Sequence, residues 1–260
     1  MNTFDITTTS RVLPWEDSSN TRDMGGYRLG DGKHLRWRAL VRSETLCHLT
    51  AKGQQSLVDY GIRTVIDLRF QYELDHEPNP FAARKPSTSE KVDYFHISLD
   101  RDQDMVWVEG MNPAESMSRM YCQILESNRN HVTKVLTTIA HARPGGVVFH
   151  CFVGKDRTGL IAALILGLLG ASADIIAADY EMSEPLLARR VEKILAKPNL
   201  PRDQIGLYRA QFSAYPESMM RTLAYLDEKY GGISGYLLTT DVQQEVIDRL
   251  RERLVENLDH

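Results

Sequence analysis

Cysteine is scarce in this sequence and long apolar runs are missing, and each shortage excludes a class of protein. The 260 residues include three cysteines, an odd number without metal-ligand spacing, so neither a disulfide framework nor a zinc site is indicated. The longest apolar run, LIAALILGLL, has ten residues and is too short to span a bilayer. The N-terminus has neither the basic start nor the apolar core of a signal peptide. We therefore expect a cytoplasmic protein without stable membrane insertion, and leave open export by a route that uses no such signal.

An excess of one charge sign is also missing. The net charge is -4 and the two signs are interspersed, so the composition predicts no nucleic-acid partner. Apolar residues make up 42% of the chain and charged residues 25%, which is typical of a globular protein. No Pro-, Gly- or Ser-rich linker divides the chain. We predict one domain over residues 1–260, and no feature of the sequence indicates its oligomeric state.

Strand and helix patterns alternate in the middle of the chain, and helix patterns fill its end. HLRWRALVR, IRTVIDLRF, KVDYFHISLD and GVVFH have the composition of strands. LTAKGQQSLVDYG predicts a helix with Thr50 as N-cap and Gly61 as its end, and HVTKVLTTIAHA predicts another. These elements predict an α/β fold with a mostly parallel central sheet, flanking helices and a helical C-terminal part. Residues 101–125 combine acids with Met, Trp and Val, which suits either a lid over a site or an ordinary helical insertion.

The sequence VVFHCFVGKDRTGLIAAL, residues 147–164, places a polar loop between a strand and a buried helix. A loop that curls before a helix N-terminus directs backbone N–H groups inward, and the helix dipole adds positive potential there. Arg157 can hold two oxygens of a phosphate with its planar fork. Cys151 would lie beneath the phosphorus, where the same field favours the thiolate. Gly154 and Gly159 would permit the curl, and we expect the loop to bind an anion.

Two other interpretations explain this loop less well. A nucleotide-binding Walker loop needs a Gly five positions before the Gly-Lys pair and a Ser or Thr after it, but Phe149 and Asp156 occupy these positions. Alternatively, Cys151 is a small buried apolar residue at a strand end and the charges are solvated. That interpretation leaves the spacing of Cys, Gly, Arg and Thr to chance.

The segment HCFVGKDRTG, residues 150–159, matches the His-Cys-(five residues)-Arg-(Thr/Ser)-Gly signature of the cysteine-dependent protein tyrosine phosphatase superfamily. Its GKDRTG core resembles the bacterial branch of atypical tyrosine and lipid (triple-specificity) phosphatases. Other segments resemble that branch in the same order: NTRDMGGY, RSETL, VIDLRFQYE, AADYEMS and EKYGGISGYL. The resemblance implies a phosphotyrosine phosphatase-like fold and a metal-independent phosphoric monoester hydrolase of the protein-tyrosine-phosphatase class.

The resemblance also implies a reaction without cofactor or metal. Cys151 attacks phosphorus, and water then hydrolyses the cysteinyl-phosphate. Arg157 and the loop N–H groups stabilise the equatorial oxygens, and the Thr158 hydroxyl supports the thiolate. The expected phosphate-binding residues are Phe152, Val153, Gly154, Lys155, Arg157 and Thr158. The expected substrates are phosphotyrosine in proteins, with phosphoserine, phosphothreonine and phosphoinositides as further candidates; a catalytically silent phosphate-binding module is the alternative.

The general acid has two candidates. In the branch that this sequence resembles, the Asp within the signature is the implied acid, and Asp156 stands there. In other relatives the acid follows a strand, where Asp100, Asp102 or Asp104 would fit. We favour Asp156, because it already belongs to the loop.

Supporting roles are expected for five residues. Lys155 either adds charge for an inositol-type head group, as in lipid-directed relatives, or is an exposed loop lysine. Asp67 either pairs with Arg157 or forms a plain surface ion pair. The His150 ring is expected to hydrogen-bond the loop rather than to bind a metal. Arg22 and Asp23 either brace the site or fix a turn.

Overall fold

The computed structural model describes residues 11–82, 92–100, 111–196, 202 and 205–257, and these build a five-stranded sheet. In spatial order the strands are β1 (Arg22–Asp23), β3 (Leu40–Ser43), β6 (Gly146–His150), β4 (Ile62–Asp67) and β5 (Asp93–His96). β1 pairs antiparallel with β3, and all the other pairings are parallel. A separate antiparallel pair joins β2 (His34–Leu35) to β7 (Val255–Glu256). The predicted mostly parallel α/β sheet is confirmed.

Helices connect the strands and then make up most of the chain after β6. They are α1 (Ala51–Asp59), α2 (Gln71–His76), α3 (Pro113–Ser127), α4 (Arg129–His141), α5 (Asp156–Leu168), α6 (Ala173–Glu181), α7 (Ser183–Leu195), α8 (Ile205–Phe212), α9 (Pro216–Tyr230), α10 (Ile233–Leu238) and α11 (Gln244–Leu254). The predicted helical C-terminal part is therefore present. Within the described ranges, every helix is too short or too polar to cross a membrane.

The central strand β6 is buried along its whole length and separates two hydrophobic clusters. Val147 and Phe149 belong to the larger cluster, which includes most of the buried faces of α3, α4, α5 and α9. Val148 points to the other side, where it joins a smaller cluster with Leu57 of α1 and Trp15. This alternation is what a strand with helices on both faces requires. The central position of β6 holds its C-terminal end rigidly in place.

One local prediction is confirmed and two need correction. Thr50 caps α1 by accepting a hydrogen bond from the Gly53 N–H at 3.1 Å, as the sequence predicted. The sequence predicts that the helix after the polar loop begins at Thr158, but it begins two residues earlier, at Asp156. The strand predicted over HLRWRALVR is broken into β2 and β3, with Arg38 at a φ of 61° between them.

The segment of residues 101–125 contains part of a core helix. α3 begins at Pro113 and buries Met117, Tyr121 and Ile124, so this part is not an exposed lid. Residues 101–110 lie outside the described residues, and for them the lid stays a prediction. One domain over the whole chain also stays a prediction.

Candidate active site

The 151–157 loop begins where the central strand ends. His150 is the last residue of β6, Cys151 follows it, and α5 begins at Asp156. Ser43 and Asp67 lie beside His150 at the ends of the neighbouring parallel strands. Ligands of open α/β sheets bind outside the carboxyl ends of the strands, which is where this loop lies. Cys151 is 1% exposed, so the rest of the fold surrounds its thiol.

The carbonyl groups of the loop are held on its outer side. Four successive carbonyls accept hydrogen bonds from three residues outside the loop. The Thr45 N–H donates to Phe152 O at 3.1 Å, and Asn20 Nδ2 donates to Val153 O at 2.9 Å. Arg42 Nη2 donates to Gly154 O at 2.8 Å and to Lys155 O at 3.4 Å. Successive peptide groups with outward carbonyls direct their N–H groups to the inner side. The first N–H groups of α5 have no intrahelical acceptors and add to the same site.

Gly154 has the conformation that makes this curl possible. Its φ is 71°, and a Cβ atom here would lie 2.5 Å from the Ser43 carbonyl oxygen. A side chain is therefore excluded by strain and by contact. Gly159 lies inside α5 instead, where a Cβ atom would lie 3.1 Å from the Tyr180 ring. Its small size serves helix packing rather than the curl that we predicted.

A buried charge network lies behind the loop. Asp179 of α6 forms ion pairs with Arg42 and, at 3.1 Å, with Arg22 Nε, and all three side chains are at most 2% exposed. Burial raises the pKa of Asp179, but the two arginines more than offset this and hold it at about 2. Arg22 thus braces the loop through Asp179 and Arg42. Asp23 has a different role, since it accepts hydrogen bonds from the N–H groups of Gly25 and Arg38 and fixes a turn.

Arg157 is oriented by Glu73 of α2. Its Nη1 and Nη2 atoms contact the two carboxylate oxygens of Glu73 at 2.6 and 3.0 Å, and Nη1 also lies 3.4 Å from Leu68 O. The guanidinium carbon lies 4.1 Å from the centre of the Phe70 ring. Burial lowers the pKa of Arg157, but the charges of Cys151 and Glu73 outweigh it and raise the pKa above its ordinary value. The guanidinium therefore stays charged.

Asp67 lies in the interior and does not pair with Arg157 or with a surface cation, so both predicted pairings are wrong. Arg69 binds it with Nε and Nη2, at 2.9 and 2.8 Å, and Asn79 Nδ2 donates to it at 2.9 Å. Burial raises the pKa of Asp67, but Arg69 and Asn79 help to lower it well below its ordinary value. Asp67 is the last residue of β4, and it pairs with Arg69 in the turn that follows. Both side chains are fully buried there.

The His150 ring connects this cluster to the loop. Asn79 Nδ2 lies 2.9 Å from Nε2, and Phe81 N–H fixes the Asn79 amide by donating to its oxygen. Because an amide N–H donates, Nε2 accepts and the ring proton stands on Nδ1, which lies 3.2 Å from Cys151 O. Burial, the largest influence, lowers the pKa of His150 and keeps the ring neutral.

Lys155 is not an exposed lysine, so that interpretation is wrong, whereas a contribution of its charge to an inositol-type head group stays a prediction. Its side chain is fully buried, and Nζ donates to Gln211 O at 2.6 Å and Ser213 O at 2.8 Å. Nζ also lies 3.3 Å from Asp156 Oδ1. Burial lowers the pKa of Lys155, although Asp156 opposes the shift. The lysine ties the loop to the end of α8.

The two candidate acids have different surroundings. Asp156 accepts a hydrogen bond from the Tyr121 hydroxyl on Oδ1, and 23% of its side chain is exposed. Asp100 contacts Ser98 and Asn128, and no described contact joins it to the loop. Asp102 and Asp104 lie outside the described residues.

Thr158 is the last residue of the site with a predicted role. The Thr158 hydroxyl is buried on α5 and finds no hydrogen-bond partner among the described residues. A buried hydroxyl without a partner fits a donor whose acceptor is a thiolate or a ligand.

Across the residues that the structure describes, no group of three or more His, Cys, Asp and Glu side chains could hold a metal ion.

The family model described as "Tyrosine phosphatase family" matches residues 13–256. The chain belongs to the tyrosine phosphatase family. A tyrosine-protein phosphatase from Nostoc commune is 32% identical over 83% of this chain and 74% of its own length. The triple specificity protein phosphatase PtpB from Mycobacterium tuberculosis is 33% identical over 84% of this chain and 91% of its own. A solved structure of P. aeruginosa TpbA in complex with pTyr covers 80% of this chain and 90% of that chain at 16% identity, with a TM-score of 0.38.

Family membership confirms the superfamily and the enzyme class expected from the signature. Several residues of this tyrosine phosphatase site nevertheless received no role from the sequence. Three of them, Glu73, Arg42 and Asp179, lie in segments that resemble the family. The resemblance indicated that these segments matter, but it did not predict which groups the three side chains contact. Asn79 and Tyr121 carried no signal, because a partner that folding brings from a distant segment leaves no local pattern.

Proposed function

We propose that this tyrosine phosphatase hydrolyses phosphotyrosine in proteins through a cysteinyl-phosphate intermediate, without a metal. The observation that carries the proposal is the orientation of the 151–157 loop. Its carbonyls from Phe152 to Lys155 are bound on the outer side, so its N–H groups surround the end of the loop where Cys151 stands. A site that binds anions around a thiol suits nucleophilic attack on phosphorus.

The fork of Arg157 has one edge left for the phosphate. Glu73 and Leu68 O use both hydrogens of Nη1 and one of Nη2. The remaining Nη2–H and the Nε–H are parallel, and this edge matches two oxygens of a phosphoryl group. Glu73 thus holds the guanidinium in place without covering the edge that binds substrate. The loop N–H groups bind the third equatorial oxygen, and Thr158 donates to the sulfur.

Asp156 is the proposed acid. In the first step the Cys151 sulfur forms a bond to phosphorus, the bond to the leaving oxygen breaks, and Asp156 gives that oxygen its proton. In the second step the Asp156 carboxylate takes a proton from water as the water oxygen attacks phosphorus, and the thiolate leaves. Phosphate is released and both residues return to their first state.

Phosphoserine, phosphothreonine and phosphoinositides are further candidate substrates, supported by the similarity to the triple specificity protein phosphatase PtpB. The buried position of Lys155 weakens one argument for phosphoinositides, because two main-chain carbonyls already bind its amine. Phosphotyrosine is therefore our first choice. A cytoplasmic location also stays a prediction from the sequence.

The test is hydrolysis of a phosphotyrosine peptide in EDTA by the wild type and by Cys151→Ser. We expect activity in the wild type, and a loss of at least about 10³-fold in the variant, because an alcohol is a far weaker nucleophile than a thiolate at neutral pH. Cys122→Ser, which changes a half-buried thiol on α3, is the matched control. Full activity of Cys151→Ser would refute the mechanism, and phosphate binding without turnover in the wild type would favour the silent module. A panel of phosphopeptides and phosphoinositides then ranks the substrates.

A further inference from the structure

Two donors converge on one oxygen of Asp156. The Tyr121 hydroxyl, on α3, donates to Oδ1, and Lys155 Nζ lies 3.3 Å from the same atom. The Tyr121 oxygen lies 2.6 Å from the Tyr180 hydroxyl of α6. Tyr121 and Tyr180 are at most 1% exposed, and their rings meet edge to face with centroids 6.0 Å apart. The pair is therefore held rigidly on the interior side of the carboxyl group.

The convergence decides which oxygen can carry the acid proton. A protonated carboxyl group has its hydrogen on one oxygen and keeps the other as an acceptor. Oδ1 already accepts the Tyr121 hydrogen and faces the Lys155 ammonium, so an acid hydrogen on Oδ1 would face both groups. The proton consequently belongs on Oδ2, the oxygen that makes no hydrogen bond with the described residues.

We propose that Tyr121 is a positioning residue that, with Lys155, keeps the transferable proton of Asp156 on Oδ2. This inference rests on the proposed role of Asp156 as the acid. As the bond between phosphorus and the leaving oxygen breaks, the Oδ2–H bond breaks as well and its proton moves to that oxygen. The hydrogen bonds to Oδ1 stabilise the carboxylate that remains, until Oδ2 takes a proton from the attacking water.

The experiment compares leaving groups in Tyr121→Phe. An acid matters most when the leaving oxygen is strongly basic, so phenyl phosphate depends on it and 2,4-dinitrophenyl phosphate does not. We expect kcat/KM for phenyl phosphate to fall about tenfold in the variant, and that for dinitrophenyl phosphate to change less than about twofold. Equal losses for the two esters would indicate a merely structural effect and would overturn the proposal.

Tyr236→Phe is the matched control, since its buried hydroxyl donates to Leu125 O on the same helix, α3, away from Asp156. It should lower stability without changing the ratio between the two esters. If Tyr121→Phe does not fold, Tyr180→Phe removes the hydroxyl that orients Tyr121, and the same selective loss is expected at about threefold. An unchanged ester ratio in that variant would then overturn the proposal.

Asp156→Asn separates this inference from the proposed function. A selective loss for phenyl phosphate in Asp156→Asn, with no further loss when Tyr121→Phe is added, is the expected result. If Asp156→Asn loses no activity toward phenyl phosphate, the acid itself is wrongly assigned. If Asp156→Asn is selective and Tyr121→Phe is not, the acid stands and the role of Tyr121 falls.

Discussion

The 151–157 loop has an arginine on each side, and the two are held in different ways. On the inner side, Arg157 contacts one carboxylate, that of Glu73, and about a tenth of each side chain is exposed. On the outer side, Arg42 shares Asp179 with Arg22, and these side chains are at most 2% exposed. Arg42 uses both terminal nitrogens on protein groups, whereas Arg157 Nε makes no hydrogen bond with the described residues.

We interpret this difference as one between an arginine that binds substrate and an arginine that stabilises the fold. A substrate-binding arginine, which we call the clamp and assign to Arg157, must exchange partners during turnover. It therefore needs partial access to solvent and a carboxylate that orients it without covering it. A brace must hold carbonyl groups in one direction, so it gains from full burial, where a broken bond is costly. Substitutions on the inner side should therefore change rates, and substitutions on the outer side should change stability.

The largest expected effect is on the inner side. Arg157→Lys keeps the charge but removes the planar fork, so we expect kcat/KM for an aryl phosphate to fall on the order of 10³-fold. The midpoint of thermal unfolding should change little, because a lysine can still pair with Glu73. Steady-state kinetics and calorimetry measure the two effects, with a change at an exposed residue of α3, Arg119→Lys, as control. Retention of activity would contradict the clamp.

Arg42→Met tests the outer side. It leaves Asp179 with one cation and Gly154 O without its donor, so the free energy of unfolding should fall by about 3–5 kcal/mol. Urea denaturation measures the change, and Arg249→Met removes a surface ion pair as control. If Arg42→Met unfolds like the wild type, the brace carries no stability and the comparison fails.

Lys155→Met tests a residue whose surroundings in the structure differ from those expected from the sequence. Removal of its contacts to Gln211 O and Ser213 O should cost about 2 kcal/mol of unfolding free energy. The ratio of phosphoinositide to phosphoserine hydrolysis should stay constant, because both are alkyl esters that depend alike on the acid and because two main-chain carbonyls hold the amine. A selective loss of phosphoinositide hydrolysis would show that Lys155 reaches the substrate after all.

Glu73→Gln sharpens the role of the inner carboxylate. One amide oxygen can still accept from Arg157, but the two-point contact is lost, so we expect kcat/KM to fall about tenfold. Asp75→Asn, on the same short helix, controls for loss of an acidic residue. A rise in kcat/KM would mean that Glu73 competes with the phosphate rather than orienting the clamp.

The smallest expected effect concerns pH and the neutral ring of His150. Its pKa is lowered in the folded protein, so the unfolded chain binds a proton below about pH 6.5 that the folded protein does not. The free energy of unfolding should consequently decrease as the pH falls through and below that value. Urea denaturation at pH 7.5, 6 and 5 measures the slope, which should be shallower in His150→Gln and unchanged in the surface variant His141→Gln. Equal slopes in all three proteins would contradict a neutral His150.

Local patterns were sufficient for much of the fold. Thr50 and Gly61 bound α1 because a cap and a left-handed stop depend on neighbouring residues. The run GVVFH became the central strand because β-branched and aromatic residues favour a buried strand. HLRWRALVR failed as one strand, because the chain turns at Arg38 to carry β3 into the sheet and leaves β2 to pair with β7.

By itself, the sequence determined the family and the 151–157 loop, since Cys151, Gly154 and Arg157 lie within one short turn whose geometry follows from their spacing. Only the tertiary structure decided which groups surround that loop. Glu73 orients Arg157, Tyr121 reaches Asp156, and Lys155 turns into the interior, all across long separations in sequence. The physical reason is burial: a charged group removed from water must find a partner, and that partner is chosen by packing between elements rather than by its neighbours in the chain.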